Sequence, residues 1–385
     1  MSESIDALAL SVVVTARNDD HGDNMLERMQ LFVNGLLEQV RRHGLDAELI
    51  VVEWNPPPNR PRLVEALSWP TEHGPCRVRI IEVPPELHRR YRHSEALPLF
   101  QMIAKNVGIR RARGRFVLAT NIDLLFSSEL VYFLASGNLE PGWLYRIDRY
   151  DVPSNVPAEG SIEEQLEYCH RHVIRINTRD GIFERGALPW ERPGKINLYL
   201  SLLEQFVSLA WPHWPEGKTW SEVLTLRSFR TFFANRLSLV GRGVSCLKQL
   251  IRPSVPRLHL NASGDFMLMA REHWFALRGY PELEMFSMNV DSLLCHIAYH
   301  TGIREKVLVD PMRIYHIGHT KGWTPEVEQD GTMRRWLDSA GIPQLSIEQV
   351  FAWSLQMKRD RQPFVFNDEH WGLACEELPE IEVET

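Results

Sequence analysis

Residues 116–126 have the sequence FVLATNIDLLF, in which an apolar run with the length of a buried strand is followed directly by Asn121, Ile122 and Asp123. A carboxylate at the end of a buried strand is unfavourable unless a partner or a metal ion compensates for the lost hydration. Oxygen-bearing side chains two positions apart at such a strand end are typical of a site for Mg²⁺ or Mn²⁺, which bind one or two carboxylates together with substrate phosphates. The alternative is that Asp123 caps a turn, or the helix predicted to begin near Ser127.

The strand at 116–120 is the last of four that the first third of the chain predicts. Short apolar runs rich in β-branched residues predict the other three, at 9–15, 47–53 and 78–83. Apolar residues at helical spacing predict two helices between them, at 24–42 and 94–112. This alternation predicts an α/β protein with a mixed, mainly parallel central sheet.

Polar residues follow several of these strands. Thr15, Arg17 and Asn18 lie at the end of the first strand, and Glu53 at the end of the second. Ligands of open α/β sheets bind at the carboxyl ends of the strands. We therefore expect these side chains and Asp123 to face one ligand site.

The rest of the chain is predicted to form three further segments after 1–154. Residues 155–256 are rich in Trp, Arg and Pro and have helical stretches at 195–210 and 221–240, which predicts a mainly helical insertion or lid. Residues 257–323 return to strand and helix patterns, at 265–270, 290–300 and 307–309. Residues 324–385 are predicted to be a helical C-terminal extension that ends in a frayed acidic tail.

Composition argues against several classes of function. The 385 residues include 43 Lys and Arg against 50 Asp and Glu, a net charge of −7, which does not favour nucleic acid as a partner. The start of the chain lacks the basic segment of a signal peptide, and no apolar run is long enough to span a membrane. Five scattered cysteines without a CxxC pair favour reduced thiols. These features predict a cytoplasmic protein without a membrane span.

Several segments resemble the glycosyltransferase-A (GT-A) fold, a Rossmann-like fold of nucleotide-diphospho-sugar transferases. The segments are SVVVTARND (11–19), ELIVVEW (48–54) and AKNVGIRRARGRFVLATNID (104–123), which ends in a DxD-like motif. A further segment, SGDFMLMAREHWFALRGYPE (263–282), resembles the acceptor side of family-2-like and galactosyltransferase-like enzymes. The resemblance covers roughly half the chain, with 1–154 as the nucleotide-sugar half and 257–323 as the acceptor and catalytic half.

The resemblance implies roles for individual residues. Asp123 would be a metal ligand, and His316 or His319, within DPMRIYHIGHT (310–320), would be another. Imidazole ligands suit Mn²⁺ better than Mg²⁺. The nucleotide-sugar donor would be bound by Thr15, Arg17, Asn18, Glu53, Lys105, Asn106, Asn121 and Ile122, and the acceptor by Gly264, Asp265 and Trp274.

Asp291 and Asp265 are both candidates for a general base. If the transfer inverts configuration, a base must deprotonate the acceptor hydroxyl, and Asp291 matches the position of that base in the family. The alternative for Asp291 is a helix N-cap. The sequence also departs from the family pattern, with Asn121 in place of the first acid of the motif and Glu53 where Asp is commoner.

These observations predict a metal-dependent, hexosyltransferase-type glycosyltransferase. It would transfer a sugar from a UDP- or GDP-sugar to a carbohydrate or other hydroxyl acceptor, with Mn²⁺ or Mg²⁺ as cofactor. One alternative is a non-catalytic protein that binds a nucleotide sugar or a glycan, which Asn121 favours. Another is a sugar-phosphate nucleotidyltransferase, but TARNDDHGDN has only Gly22 where that class needs a glycine-rich phosphate loop. Sequence leaves the sugar, the acceptor and the oligomeric state open.

Overall fold

The computed structural model describes residues 8–72, 74–184, 255–319 and 331–383. The chain forms two compact units, one made of residues 1–185 and 256–385 and the other of 186–255. Apart from Val255, the described residues belong to the first unit. The helices predicted at 195–210 and 221–240 lie outside the described residues.

Thirteen strands are described, and they form two sheets. They are β1 (Leu10–Ala16), β2 (Ala47–Trp54), β3 (Arg77–Val83), β4 (Phe116–Thr120), β5 (Leu124–Phe126), β6 (Trp143–Ile147), β7 (Arg149–Val152), β8 (Arg175–Thr178), β9 (Gly181–Glu184), β10 (Phe266–Ala270), β11 (Arg304–Leu308), β12 (Ile314–Ile317) and β13 (Glu380–Glu382). The large sheet has the order β11-β6-β10-β4-β1-β2-β3-β13, and the small sheet has the order β5-β12-β7-β8-β9.

The large sheet is mainly parallel, as predicted. Strands β11, β6, β4, β1, β2 and β3 run in one direction, while β10 and β13 run in the other. The polar residues after β1, β2 and β4 therefore meet at one edge of the sheet. This is the edge at which the sequence predicts a ligand site.

Ten α-helices are described. They are α1 (Met25–His43), α2 (Leu63–Ala66), α3 (Pro85–His88), α4 (Gln101–Arg111), α5 (Ser128–Ala135), α6 (Ile162–Arg171), α7 (Arg271–Leu277), α8 (Val290–His300), α9 (Thr332–Ala340) and α10 (Ile347–Asp360). Helices α4, α7 and α8 pack on one face of the large sheet, and α1 and α5 on the other. Side chains alternate across a strand, so Val13 of β1 packs into the first layer and Val12 and Val14 into the second.

Helix α4 is shorter than predicted, because it begins at Gln101 instead of Ser94. Pro98 explains the difference, since proline lacks an amide proton and disfavours a helical conformation in the residue before it. Within α4, Gly108 lets the helix lie close to the sheet. A Cβ atom at this position would lie 2.5 Å from Val13 Cγ1.

The regions after residue 154 are more mixed than predicted. Residues 155–184 hold one helix, α6, followed by the β8–β9 hairpin, which extends the small sheet. The C-terminal extension contains α9 and α10, but its acidic tail is not frayed over 380–382. There β13 pairs with β3, and Glu380 lies 2.6 Å from the buried Arg79.

Two of the composition-based predictions concern features that the structure describes. Cys76, Cys169, Cys295 and Cys375 are free thiols, and Cys246 lies outside the described residues. Among the described helices, none combines the length and the apolar character needed to cross a bilayer.

Candidate functional site

Asp123, His316 and His319 lie together at the carboxyl end of β4. Asp123 Oδ2 is 3.7 Å from Nε2 of His316 and 3.7 Å from Nε2 of His319. One ligand atom from each residue lies within 4.8 Å of the other two. The structure thus brings together all three side chains that the sequence predicts as metal ligands.

The local fold explains how these three residues meet. Asp123 occupies the short connection between β4 and β5, and β5 pairs antiparallel with β12, which carries His316. The backbone amide of Ile317 donates a hydrogen bond to the Asp123 carbonyl at 3.1 Å. Asp123 does not cap helix α5, because Ser127 Oγ accepts the hydrogen bond from the Leu130 amide. The alternative that Asp123 caps this helix is therefore not supported.

The environment of Asp123 fits a cation. Its side chain is buried, and Oδ1 has no hydrogen-bond partner among the described residues. Burial alone would raise the pKa of Asp123, but His316, His319 and Arg28 outweigh it and hold the pKa below its ordinary value. A carboxylate with two imidazoles is a donor set that suits Mn²⁺ and other transition-metal ions.

Arg28 of α1 also contacts Asp123, a contact that sequence analysis missed. Its Nη1 atom lies 3.2 Å from Asp123 Oδ2, and its Nη2 atom donates to the His21 carbonyl. Arg28 is buried, and because it contacts both His21 and Asp123 it links the β1–α1 loop to this carboxylate. No local pattern distinguishes Arg28 from the surface arginines of an amphipathic helix, so only the packing of α1 reveals it.

The two histidines have different surroundings. Nδ1 of His316 lies 3.3 Å from Asp151 Oδ1, so a carboxylate stands behind this ring. Nδ1 of His319 is buried against Gly22 and has no hydrogen-bond partner among the described residues. Burial lowers the pKa of His319 to about 4. The ring of His319 is thus available as a neutral ligand, whereas only His316 has a carboxylate beside its other nitrogen.

A chain of polar contacts leads from His316 to Asp265. Arg149 Nε lies 2.8 Å from Asp151 Oδ1, and Arg149 Nη1 lies 2.6 Å from Asp265 Oδ2. Asn121 Nδ2 donates to the other oxygen of Asp265. Burial opposes the ionised form of Asp151, but His316 and Arg149 lower the pKa of Asp151 to about 2. Sequence analysis missed Arg149 and Asp151; the polar Arg-x-Asp alternation of β7 was the available signal.

Lys105 is completely buried beside Asn121. Its ammonium group donates to Asn121 Oδ1 and to the Gly264 carbonyl, both at 2.7 Å. Burial lowers the pKa of Lys105 to about 8, although Asp265, Asp291 and Asp123 oppose this shift. Both of these acceptors belong to the protein itself. Lys105 therefore holds the Asn121 side chain in place.

Asp291 lies near Gly264, where a Cβ atom would be 3.1 Å from Asp291 Oδ2. Its Oδ1 atom accepts from the Ser292 amide at 2.8 Å, and burial raises the pKa of Asp291. Asn289, and not Asp291, occupies the N-cap of α8. Asp265 forms an ion pair with Arg149, whereas no described guanidinium forms an ion pair with Asp291, so Asp291 is the stronger candidate base.

The residues predicted to bind the nucleoside lie at the ends of β1 and β2. Thr15 Oγ1 donates to the Val52 carbonyl at 3.2 Å, Arg17 Nε to the Asn55 carbonyl at 2.7 Å, and Asn18 Nδ2 to the Pro61 carbonyl at 2.9 Å. Both oxygens of Glu53 accept from the Leu63 amide at 3.1 Å. Burial raises the pKa of Glu53 to about 7. These side chains lie at the same edge of the sheet as Asp123, but their polar atoms are largely used by the protein.

Three predicted site residues lie elsewhere. Trp274 is fully buried in the core and donates from Nε1 to the Val117 carbonyl, so its indole does not face an acceptor site. Asn106 is also buried, and it binds the backbone of Tyr280 and the carboxylate of Glu282. Ile122 packs in the core between the sheet and α1. The physical role of all three is to hold the fold together.

Comparison with known proteins gives no family, but the chain is similar to solved structures, of which two are described here. No family model and no curated protein matches the chain. The chain is similar to a crystal structure of S. aureus TarS, with 16% identity, a TM-score of 0.38 and coverage of 92% of this chain and 43% of that one. It is also similar to TarS 1–349 in complex with UDP-GlcNAc, with 14% identity, a TM-score of 0.38 and coverage of 92% and 72%. This chain spans less than half of the TarS chain in the first structure. Both similarities are too low to assign an activity to it.

Proposed function

We propose that this protein is a metal-dependent glycosyltransferase that transfers a sugar from a UDP- or GDP-sugar to a hydroxyl acceptor. The observation that carries the proposal is the cluster of Asp123, His316 and His319 at the carboxyl end of β4. Its position is the ligand-binding edge of a mainly parallel sheet. The motifs that resemble the GT-A fold, which include the β1, β2 and β4 segments, support the same activity.

Asp123, His316 and His319 would hold the divalent cation. Bound there, the cation would neutralise the charge that develops on the departing nucleoside diphosphate. Asn121 is fixed by Lys105 beside this cluster, and we propose that it contacts the donor ribose or the cation. Thr15, Arg17, Asn18 and Glu53 would form the nucleoside wall.

Asp291 is the proposed general base. Removal of a hydroxyl proton needs a carboxylate with a free lone pair and a raised pKa, and burial raises the pKa of Asp291. Gly264 packs close to Asp291 Oδ2, and because it has no side chain it leaves this oxygen uncovered; a methyl group there would come within 3.1 Å. Asp265, held by Arg149 and Asn121, is proposed to orient the acceptor hydroxyl. This assignment predicts inversion of configuration at the transferred sugar.

Nucleotide release is the direct test of the proposal. The wild type, Asp123→Asn and the control Asp338→Ala are each incubated with UDP-, GDP-, dTDP- and CMP-sugars and acceptor mixtures, in Mn²⁺, Mg²⁺ or EDTA. Asp338 is exposed on α9 and is not a member of the cluster, so its loss is expected to leave turnover unchanged. The proposal predicts turnover of one donor that EDTA and Asp123→Asn both abolish.

The other outcomes separate the alternatives. Donor binding without turnover in any mixture would favour a non-catalytic nucleotide-sugar-binding protein. Release of pyrophosphate from a nucleoside triphosphate and a sugar phosphate would favour a nucleotidyltransferase. That activity needs a glycine-rich phosphate loop, whereas the segment TARNDDHGDN has only Gly22, which packs against His319.

A further inference from the structure

His316 and Asp151 are direct neighbours across two strands of the small sheet. Strands β12 and β7 are parallel, and their register pairs His316 with Asp151. Paired residues of adjacent strands project to the same face of a sheet. The position of the carboxylate beside the imidazole is therefore set by backbone hydrogen bonding and not by a flexible loop.

The imidazole of His316 lies between two carboxylates. Its Nδ1 atom is 3.3 Å from Asp151 Oδ1, and its Nε2 atom is 3.7 Å from Asp123 Oδ2. A proton on Nδ1 directed at Asp151 leaves the Nε2 lone pair facing the cluster. A carboxylate behind a metal-binding histidine orients the ring and makes it a better ligand.

Asp151 is itself held firmly. It is 5% exposed, and its Oδ2 atom accepts from Asn177 Nδ2 at 3.0 Å. Arg149 pairs with it as well: Nη2 donates to Oδ2 at 3.3 Å, and Nε lies 2.8 Å from Oδ1, the oxygen that faces His316. A carboxylate fixed at several points can hold the histidine ring at a defined angle.

We propose that Asp151 is a positioning residue for the cation site and acts through His316, an inference that rests on the proposed metal dependence. Asp151 touches neither the cation nor the substrate. It holds the His316 ring so that Nε2 faces Asp123. The two histidines differ in this respect, because Nδ1 of His319 has no hydrogen-bond partner among the described residues.

The test measures Mn²⁺ affinity by the electron paramagnetic resonance signal of free Mn²⁺, without donor or acceptor. Asp151→Asn preserves the shape of the side chain but removes its charge, and we expect Mn²⁺ binding to weaken by about 10–100-fold. The matched control is Asp148→Asn. Asp148 is also buried and pairs with a histidine, His259, at 2.9 Å, but that histidine is outside the cluster. The control is expected to bind Mn²⁺ like the wild type.

A second background separates positioning from a purely structural role. In His316→Gln, the added Asp151→Asn change is expected to have no further effect on Mn²⁺ affinity, because the ring through which Asp151 acts is gone. Should Asp151→Asn fail to fold, Asn177→Ala gives the same test with both carboxylates intact and is expected to weaken Mn²⁺ binding.

Unchanged Mn²⁺ affinity in folded Asp151→Asn, or an equal loss with and without His316, would overturn the inference and leave the proposed function intact. A wild type that binds no divalent cation would overturn both.

Discussion

Gly22→Ala is expected to weaken cation binding, although Gly22 is not itself a proposed ligand, because the added methyl group would collide with His319. Gly22 has φ of +74°, and a Cβ atom would lie 2.9 Å from His319 Nδ1 and 3.1 Å from His319 Cβ. Ordinary contacts to Cβ begin near 3.4 Å, so the loop or the ring must move by several tenths of an ångström. The left-handed backbone adds about 1–2 kcal/mol of strain for any residue other than glycine.

The strain and the collision can be separated with a second glycine. Gly137 has φ of +73°, and nothing lies within 4 Å of the position of its Cβ atom. Gly137→Ala therefore has the same backbone strain without a collision. We expect Gly137→Ala to lose about 1–2 kcal/mol in the free energy of unfolding and Gly22→Ala to lose at least as much. Only Gly22→Ala is expected to bind Mn²⁺ more weakly, by about 10-fold, the lower end of the effect of disturbing a ligand's support.

The assay pairs urea denaturation with Mn²⁺ titration of both variants. Equal Mn²⁺ affinity in Gly22→Ala and Gly137→Ala, with Gly22→Ala folded, would refute the reasoning. It would mean that His319 is not a ligand, or that the β1–α1 loop yields without moving the ring. The result also decides whether His319, whose Nδ1 has no hydrogen-bond partner among the described residues, takes part in Mn²⁺ binding.

Three further predictions concern buried residues around the site. The pKa of Lys105 is lowered from 10.5 to about 8, so the unfolded chain binds more protons between these values. The free energy of unfolding should then rise from pH 8 to 10.5 by up to about 3 kcal/mol, and this rise should be absent in Lys105→Met. The pKa of Glu53 is raised from 4.5 to about 7, so the free energy of unfolding should fall as the pH rises from 4.5 to 7. Denaturation of Glu53→Gln should not show this fall. Trp274→Ala should lose about 3–5 kcal/mol of stability while the KM for the acceptor stays unchanged; a raised KM in folded protein would restore the acceptor role.

Sequence patterns predict the sheet well because its strands are buried on both faces. Such strands appear as continuous apolar runs, and the predicted bounds of the first four lie within one residue of the observed ones. The start of α4 was wrong because helical periodicity continues through Pro98, where backbone chemistry ends it. The β8–β9 hairpin and β13 were missed because short edge strands are stabilised by their partners and carry little periodicity of their own.

The arrangement of the candidate site was predicted in part. Asp123 and the two histidines belong to short local sequence patterns, so they can be recognised as candidates from the sequence. Asp151, Arg149 and Arg28 act through contacts between segments far apart in sequence, which depend on strand register and helix packing. Trp274 and Asn106 were placed in the site by motif position, but a motif does not state on which side of an element a residue projects. Their side chains point into the core.

The position of β12 between β5 and β7 makes the site tolerant of some changes in chain length and intolerant of others. A shift of one residue in β12 would turn His316 to the opposite face and exchange it for Tyr315 or Ile317, both of which are core residues. Such a shift would place an imidazole in the apolar layer and remove it from the cluster at the same time. An insertion or deletion inside β12 is therefore expected to disrupt the apolar core and the cation site together, and not to give a folded protein with a weakened site. His319 lies beyond the end of β12, so a length change after Ile317 would affect one histidine and leave His316 and its carboxylate in register.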